Sequence, residues 1–155
     1  MTFVTLLSSA LSGLNVTLDA KPMQWDAQWA QGKSADPAQR QDIFVMYWYP
    51  DYPDAYSWFA NVFHSASPVN FNLTYLADPQ VDAAIDKLPE LTATDRPAAE
   101  SAFAGLQRTL LVDDAVAAVL YVQNYQRVFR AGIGGYTDNP AYPNVVFGYD
   151  LQPTT

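Results

Sequence analysis

Ile43-Phe44-Val45-Met46-Tyr47-Trp48-Tyr49-Pro50-Asp51-Tyr52-Pro53-Asp54 is the stretch on which the reading of this chain turns. Residues 43–46 are apolar and strand-like, the next three are aromatic, and two prolines then break the run before a segment of helical composition. A strand that ends this way sets its last side chains at the edge of a sheet, where ligands sit in α/β proteins. Trp48 and Tyr49 offer flat apolar faces, while Asp51 and Asp54 offer anionic acceptors for an ammonium or a hydroxyl. The same residues also make an ordinary Pro/Asp turn with core aromatics, so composition alone leaves both readings open.

Upstream, Val4, Leu7, Leu11 and Leu14 fall on one helical face. With no basic residues before them, they predict a helix over 3–12 of the mature domain rather than a secretory leader. A strand is expected over 15–20, a helix over 23–31, a loop over 32–41 opened by Gly32-Lys33-Ser34-Ala35-Asp36-Pro37, and a strand over 42–48. Downstream, Ala55 to Phe63 reads as a short helix. Asp78-Pro79 opens another, since Asp caps free N–H groups and Pro suits the first turn, and Pro89 is expected to close it. Thr94-Asp95 opens the expected longest helix, whose stripe of Ala99, Phe103, Leu106 and Leu110 belongs to a core. Ala115 to Asn124 and Tyr125 to Arg130 read as strands, the first apolar enough to be central, and the tail from Gly132 reads as loop. Helices alternating with strands give an α/β fold class, a mixed sheet flanked by helices, in a single domain over 1–155.

Half of the 155 residues are hydrophobic and 15% are charged, the balance of a folded domain. The net charge of −8, with the eight basic residues scattered, leaves no patch for nucleic acid or acidic lipid. No cysteine is present, which removes disulfides, thiolate metal sites and thiol nucleophiles. His64 is the one histidine, so a multi-histidine metal centre is excluded, and no G-x-S-x-G elbow offers a serine nucleophile. No apolar run reaches the length of a membrane span. Asn15-Val16-Thr17 and Asn72-Leu73-Thr74 match the glycosylation sequon, a weak motif.

Taken in order, several segments resemble the C-terminal lobe of family 5 extracellular solute-binding proteins, the peptide, dipeptide and nickel receptors of bacterial ABC importers. Trp48 to Asp54 resembles their W-x-x-D segment. Leu14-Asn15-Val16-Thr17-Leu18 and Trp25-Asp26-Ala27-Gln28-Trp29 resemble the entry strand and following helix, while Phe63-His64-Ser65 and Asn70-Phe71-Asn72 resemble their FHS…NYSGY segment. Tyr75 to Lys87, the helix from Arg96 to Leu111, Asp113-Asp114-Ala115 and the strand Val119 to Asn124 complete the order. Two departures stand out. Val116 and Val119 occupy places where the family carries prolines, and the N-terminal lobe that forms the other half of the cleft has no counterpart in this sequence.

The resemblance implies one lobe of a type II periplasmic-binding-protein fold, binding oligopeptides or similar solutes between two lobes. Asp51 then takes the ligand's α-ammonium, Trp48 and Tyr49 line the cleft floor, and Tyr121 and Asn70 add further contacts, with Asn72 a weaker candidate. The implied partners are an ABC permease and the missing N-terminal lobe. The implied location is periplasmic or extracellular, with an anchor or export signal in a missing N-terminal segment. No cofactor is expected and no metal, since few soft ligands exist. Two other classes stay open. Asp51 and Asp54 beside aromatics resemble the paired carboxylates of a carbohydrate-active enzyme. A lone lobe with exposed aromatics is alternatively a remnant or interaction module.

Overall fold

Aspartates placed one residue ahead of a helix set most of this architecture. The computed structural model describes residues 2–65, 71–139, 142 and 145–154. Where a single domain is expected, the contacts divide the chain into two compact units, Met1–Phe44 and Val45–Thr155.

The first unit holds α1 (Thr2–Ser12), α2 (Trp25–Gly32) and a 3₁₀ turn (Pro37–Gln39). Helix α1 closes through Asn15, whose φ of 58° is left-handed, with the Val16 N–H donating to the Leu11 carbonyl at 3.1 Å. Asn tolerates that conformation better than other residues with a side chain, so Asn15 terminates a helix here instead of beginning a strand. Gly32, at the end of α2, is buried because the Phe44 ring would lie 2.9 Å from a Cβ at that position. Phe44 in turn meets Trp29 edge-on at 5.1 Å.

The second unit is built on α3 (Ala55–Val62), α4 (Pro79–Thr94) and α5 (Arg96–Arg108). Each starts on an Asp carboxylate: Asp54 accepts from the Tyr56 N–H at 2.8 Å, Asp78 from Gln80 at 2.7 Å and Asp95 from Ala98 at 3.1 Å. These bonds satisfy N–H groups that a helix leaves unpaired, and the negative charge suits the positive end of the helix dipole. Phe59, Val81, Ile85, Leu88, Leu106 and Leu110 form the buried core, drawn from all three helices and the turn after α5.

Pro89 does not close α4, contrary to expectation. The helix continues to Thr94 and, at 16 residues, exceeds the 13 of α5. A proline interior to a helix costs about 3 kcal/mol. Ile85 and Leu88, in the turn that precedes it, are both fully inaccessible, and their packing offsets that cost. The break comes instead at Asp95, whose N–H donates to the Leu91 carbonyl while its side chain caps α5. Helix α5 then widens into a π-turn (Thr109–Asp113), with the Asp114 N–H reaching the Thr109 carbonyl at 2.8 Å and Ala115 forced to a φ of 50°.

The segments expected as strands, 15–20, 42–48, 115–124 and 125–130, enter no ladder among the described residues. Between 117 and 129 no backbone hydrogen bond is made at all among those residues. Their composition suits strands, but a strand exists only through a neighbour, and α3, α4 and α5 pack on one another instead of covering a sheet. The one pairing described is antiparallel, β1 (Ile133–Gly134) with β2 (Gln152–Pro153), within the tail expected as loop. Gly135 turns the chain just after it, at a φ of 83° and so close that a Cβ would lie 1.9 Å from the Asp150 carbonyl oxygen. No helix among the described residues is long and apolar enough to cross a membrane.

Candidate functional site

The loop from Pro50 to Asp54 is held by the helix it precedes. The Asp51 N–H donates to Ser57 Oγ at 3.0 Å, and Ser57 is fully buried in the first turns of α3. One turn on, Asn61 Nδ2 donates to the Ser57 carbonyl at 2.8 Å and to Asp51 Oδ2 at 3.2 Å. One carboxylate oxygen of Asp51 is therefore fixed, while Oδ1 has no partner among the described residues and the side chain is exposed. Asp54, the other acidic residue of the turn, is committed to capping α3. The two carboxylates thus have different tasks, one structural and one open to a ligand.

Trp48 and Tyr49 reach different surroundings, as adjacent residues of extended chain do. Trp48 packs edge-on against Trp58 of α3 at 4.9 Å and tilts onto Phe71 at 5.8 Å. Tyr49 meets Tyr47 edge-on at 5.6 Å, and its hydroxyl joins a chain of polar groups from the unpaired segment. Tyr125 Oη lies 2.7 Å from Tyr49 Oη, and Tyr49 Oη lies 3.4 Å from Gln123 Oε1. The hydrogen bond to Tyr49 is the main cause that pushes the Tyr125 phenol up to about 12, with some burial adding and Arg127 opposing. The Arg127 guanidinium lies 5.0 Å over the Tyr125 ring and donates through Nε to Tyr136 Oη at 3.0 Å.

A second polar cluster anchors the chain after α3. Ser65 donates to Asp82 of α4 through its N–H, at 3.0 Å, and through its hydroxyl. His64 bridges Asp82 at 3.9 Å and Asp86 at 3.3 Å. Burial pushes the Asp82 carboxyl up, but the two Ser65 hydrogen bonds and the His64 charge together outweigh it and hold it below the ordinary range. Asn72 is 3% exposed, and its Nδ2 donates to the carbonyls of Phe63, His64 and Leu76 at 3.3, 3.2 and 2.9 Å. Its Oδ1 accepts from Thr74 Oγ1 at 2.8 Å. Asn72 is thus a buried loop staple, with no free amide for a ligand or a glycan.

Of the residues expected to bind, the structure brings Asp51, Trp48 and Tyr49 to one turn and joins Tyr49 to the segment that carries Tyr121. Tyr121 itself is 74% exposed and makes no hydrogen bond among the described residues. Asn70 lies outside the described residues. Ser57, Asn61, Gln123 and Tyr125 were not singled out from sequence. The alternation Tyr121-x-Gln123-x-Tyr125-x-Arg127 was the signal for the last two, since period two puts such residues on one side of extended chain. Among the described residues no group of three or more His, Asp or Glu side chains is placed to hold a metal ion. Two surface depressions in the first unit, one beside Ser8, Ser12 and Asn15 and one beside Lys21, Gln31 and Arg40, gather no such set of groups. No family model, curated protein or solved structure matches the chain.

Proposed function

We propose that this chain is one lobe of a solute receptor that serves an ABC importer and that it holds the α-ammonium of an oligopeptide or similar solute on Asp51. The observation that carries this reading is the Asp51 carboxylate: oriented through Asn61, exposed, with Oδ1 unpartnered among the described residues, and three residues on from Trp48, whose ring packs on Trp58 and Phe71. A carboxylate accepts a charge-assisted hydrogen bond from an ammonium, worth about 1.5–3 kcal/mol in a partly desolvated site. The aromatic wall supplies apolar surface for the ligand's side chains. Under this proposal a second lobe closes the cleft, a permease receives the solute, the site of action is periplasmic or extracellular, and the fold is the α/β lobe of a type II binding protein.

The test is an NMR-detected titration of the chain with tri-alanine and with N-acetyl-tri-alanine. Asp51→Asn is expected to weaken tri-alanine roughly ten- to hundredfold, the measure of one charge-assisted bond. Equal affinity for the free and acetylated peptides would remove Asp51 from the binding role.

A second reading is favoured by the segment before Gln123, where Val119, Tyr121 and Val122 are 67%, 74% and 81% exposed. Apolar side chains in that state, on backbone with no hydrogen-bonding partner among the described residues, belong to a surface that associates with another polypeptide. Under this reading the chain is an interaction module, and light scattering would show its mass rising with concentration while no peptide binds.

A further inference from the structure

We propose that the Gln123 carboxamide is a second anchor of the Asp51 site and that it reads a carbonyl oxygen of the bound solute. This deepens the Asp51 reading and rests on it. The relay of hydroxyls gives the amide its direction. Tyr125 Oη donates to Tyr49 Oη at 2.7 Å, which leaves the Tyr49 proton for Gln123 Oε1 at 3.4 Å. With Oε1 engaged as acceptor, Nε2 is the free end, and its two N–H groups have no partner among the described residues. Gln123 is exposed, so those donors stay hydrated until a ligand displaces water.

Its hydrogen-bonding capacity selects the ligand group. Among the described residues no carboxylate hydrogen-bonds to Gln123, Tyr125 or Tyr49; the Arg127 guanidinium stacks on Tyr125 and donates to Tyr136, which in turn donates to Asp138. The free Nε2 donors suit an oxygen acceptor, whereas the Asp51 carboxylate suits an ammonium. Gln123 joins the site through Tyr49, which is two residues before Asp51, so both anchors belong to the same turn of chain. Two anchors of opposite polarity fix the direction in which a peptide lies, and they select amide-bearing amines over simple amines.

Gln123→Glu separates the two anchors. Glutamate keeps an oxygen to accept from Tyr49, but it has no donor and it repels a carbonyl. NMR titration of the chain and of this variant uses four probes: tri-alanine, N-acetyl-tri-alanine, alaninamide and isopropylamine. Gln123→Glu is expected to weaken tri-alanine by roughly tenfold and to abolish the preference for alaninamide over isopropylamine, while acetylation still weakens both proteins. Tyr49→Phe, which only unpins the amide, is expected to cost a smaller factor, roughly threefold. If Gln123→Glu binds all four probes as the parent chain does, and acetylation still weakens both, the Gln123 anchor is wrong and the Asp51 reading stands. If the parent chain does not discriminate the acetylated peptide, the Asp51 reading and the second anchor fall together.

Discussion

Replacing Asn72 with Asp changes one atom type in a buried staple, and the geometry fixes what that change costs. The two protons on Nδ2 serve three carbonyls, those of Phe63, His64 and Leu76, at 2.9–3.3 Å. A neutral hydrogen bond contributes about 1 kcal/mol net, so two protons account for roughly 2 kcal/mol. An ionised carboxylate in place of the amide would lose both and would face three carbonyl oxygens at 3% exposure, which adds a desolvation and repulsion cost of order 1–3 kcal/mol. The buried carboxyl therefore resists ionisation, and its folded-state pKa rises above the unfolded value near 3.9. A group raised in this way retains its stability below the unfolded pKa and loses it as pH rises through the folded one. Protonated, the side chain still donates one hydrogen bond.

Urea unfolding of Asn72→Asp and of the parent chain, at pH 4.5 and at pH 7.5, reads this directly. The variant should be less stable by about 1–2 kcal/mol at pH 4.5 and by about 3–5 kcal/mol at pH 7.5. Taking the difference from the parent at each pH removes the response of the other carboxylates. A loss that is equal at both values, or under about 0.5 kcal/mol at both, would refute the placement of Asn72 as a donor to three carbonyls. The effect reaches the candidate site through Phe71, which adjoins Asn72 in sequence and packs on Trp48.

Leu88→Ala removes a fully buried side chain between α4 and the rest of the core, and should cost about 2–5 kcal/mol with an unchanged urea m-value; a loss under about 1 kcal/mol would mean that Leu88 is not at the centre of the core. Asp82 has its carboxyl held below the ordinary range, so its contribution is present above the unfolded pKa of 3.8 and is lost as pH falls below it. Asp82→Asn should therefore lower stability at pH 7 and flatten the acid limb below pH 4, and unfolding curves with the same acid slope as the parent's would contradict that. The Asp51→Asn and Gln123→Glu titrations described above complete the set.

The helices were the legible part of this sequence, because their signals are local. Asp54, Asp78 and Asp95 each precede an apolar stripe, and two of the three helices carry a proline in the first turn. Pro89 misled because its local effect opposes a helix, while the burial of Ile85 and Leu88 that overrides it depends on residues far along the chain. The strands were the illegible part. Val119 to Val122 have the residues of a strand, but pairing is a property of two segments, and period and propensity speak only of one. At the site, the turn that carries Asp51 was readable from its two prolines and its aspartates, whereas Ser57 and Asn61 look in sequence like any polar residues of a helix. Only the fold of α3 back toward Pro50 gives them their task.

The core of the second unit has a consequence for the order in which the chain assembles. Helix α3 packs on α4, α4 on α5, and α5 on its own closing turn, so the principal helix contacts join elements next to each other in sequence. Contacts of that kind close short loops and form early, and they require nothing from residues after Val116. As the chain leaves the ribosome, α3 to α5 can therefore dock before Gln123 and Tyr125 have emerged. The hydroxyl contact between Tyr125 and Tyr49 spans 76 residues, and it can form only once residue 125 has been made. The Asp51 turn, held by α3, can thus be in place before the segment of Gln123 and Tyr125 joins it.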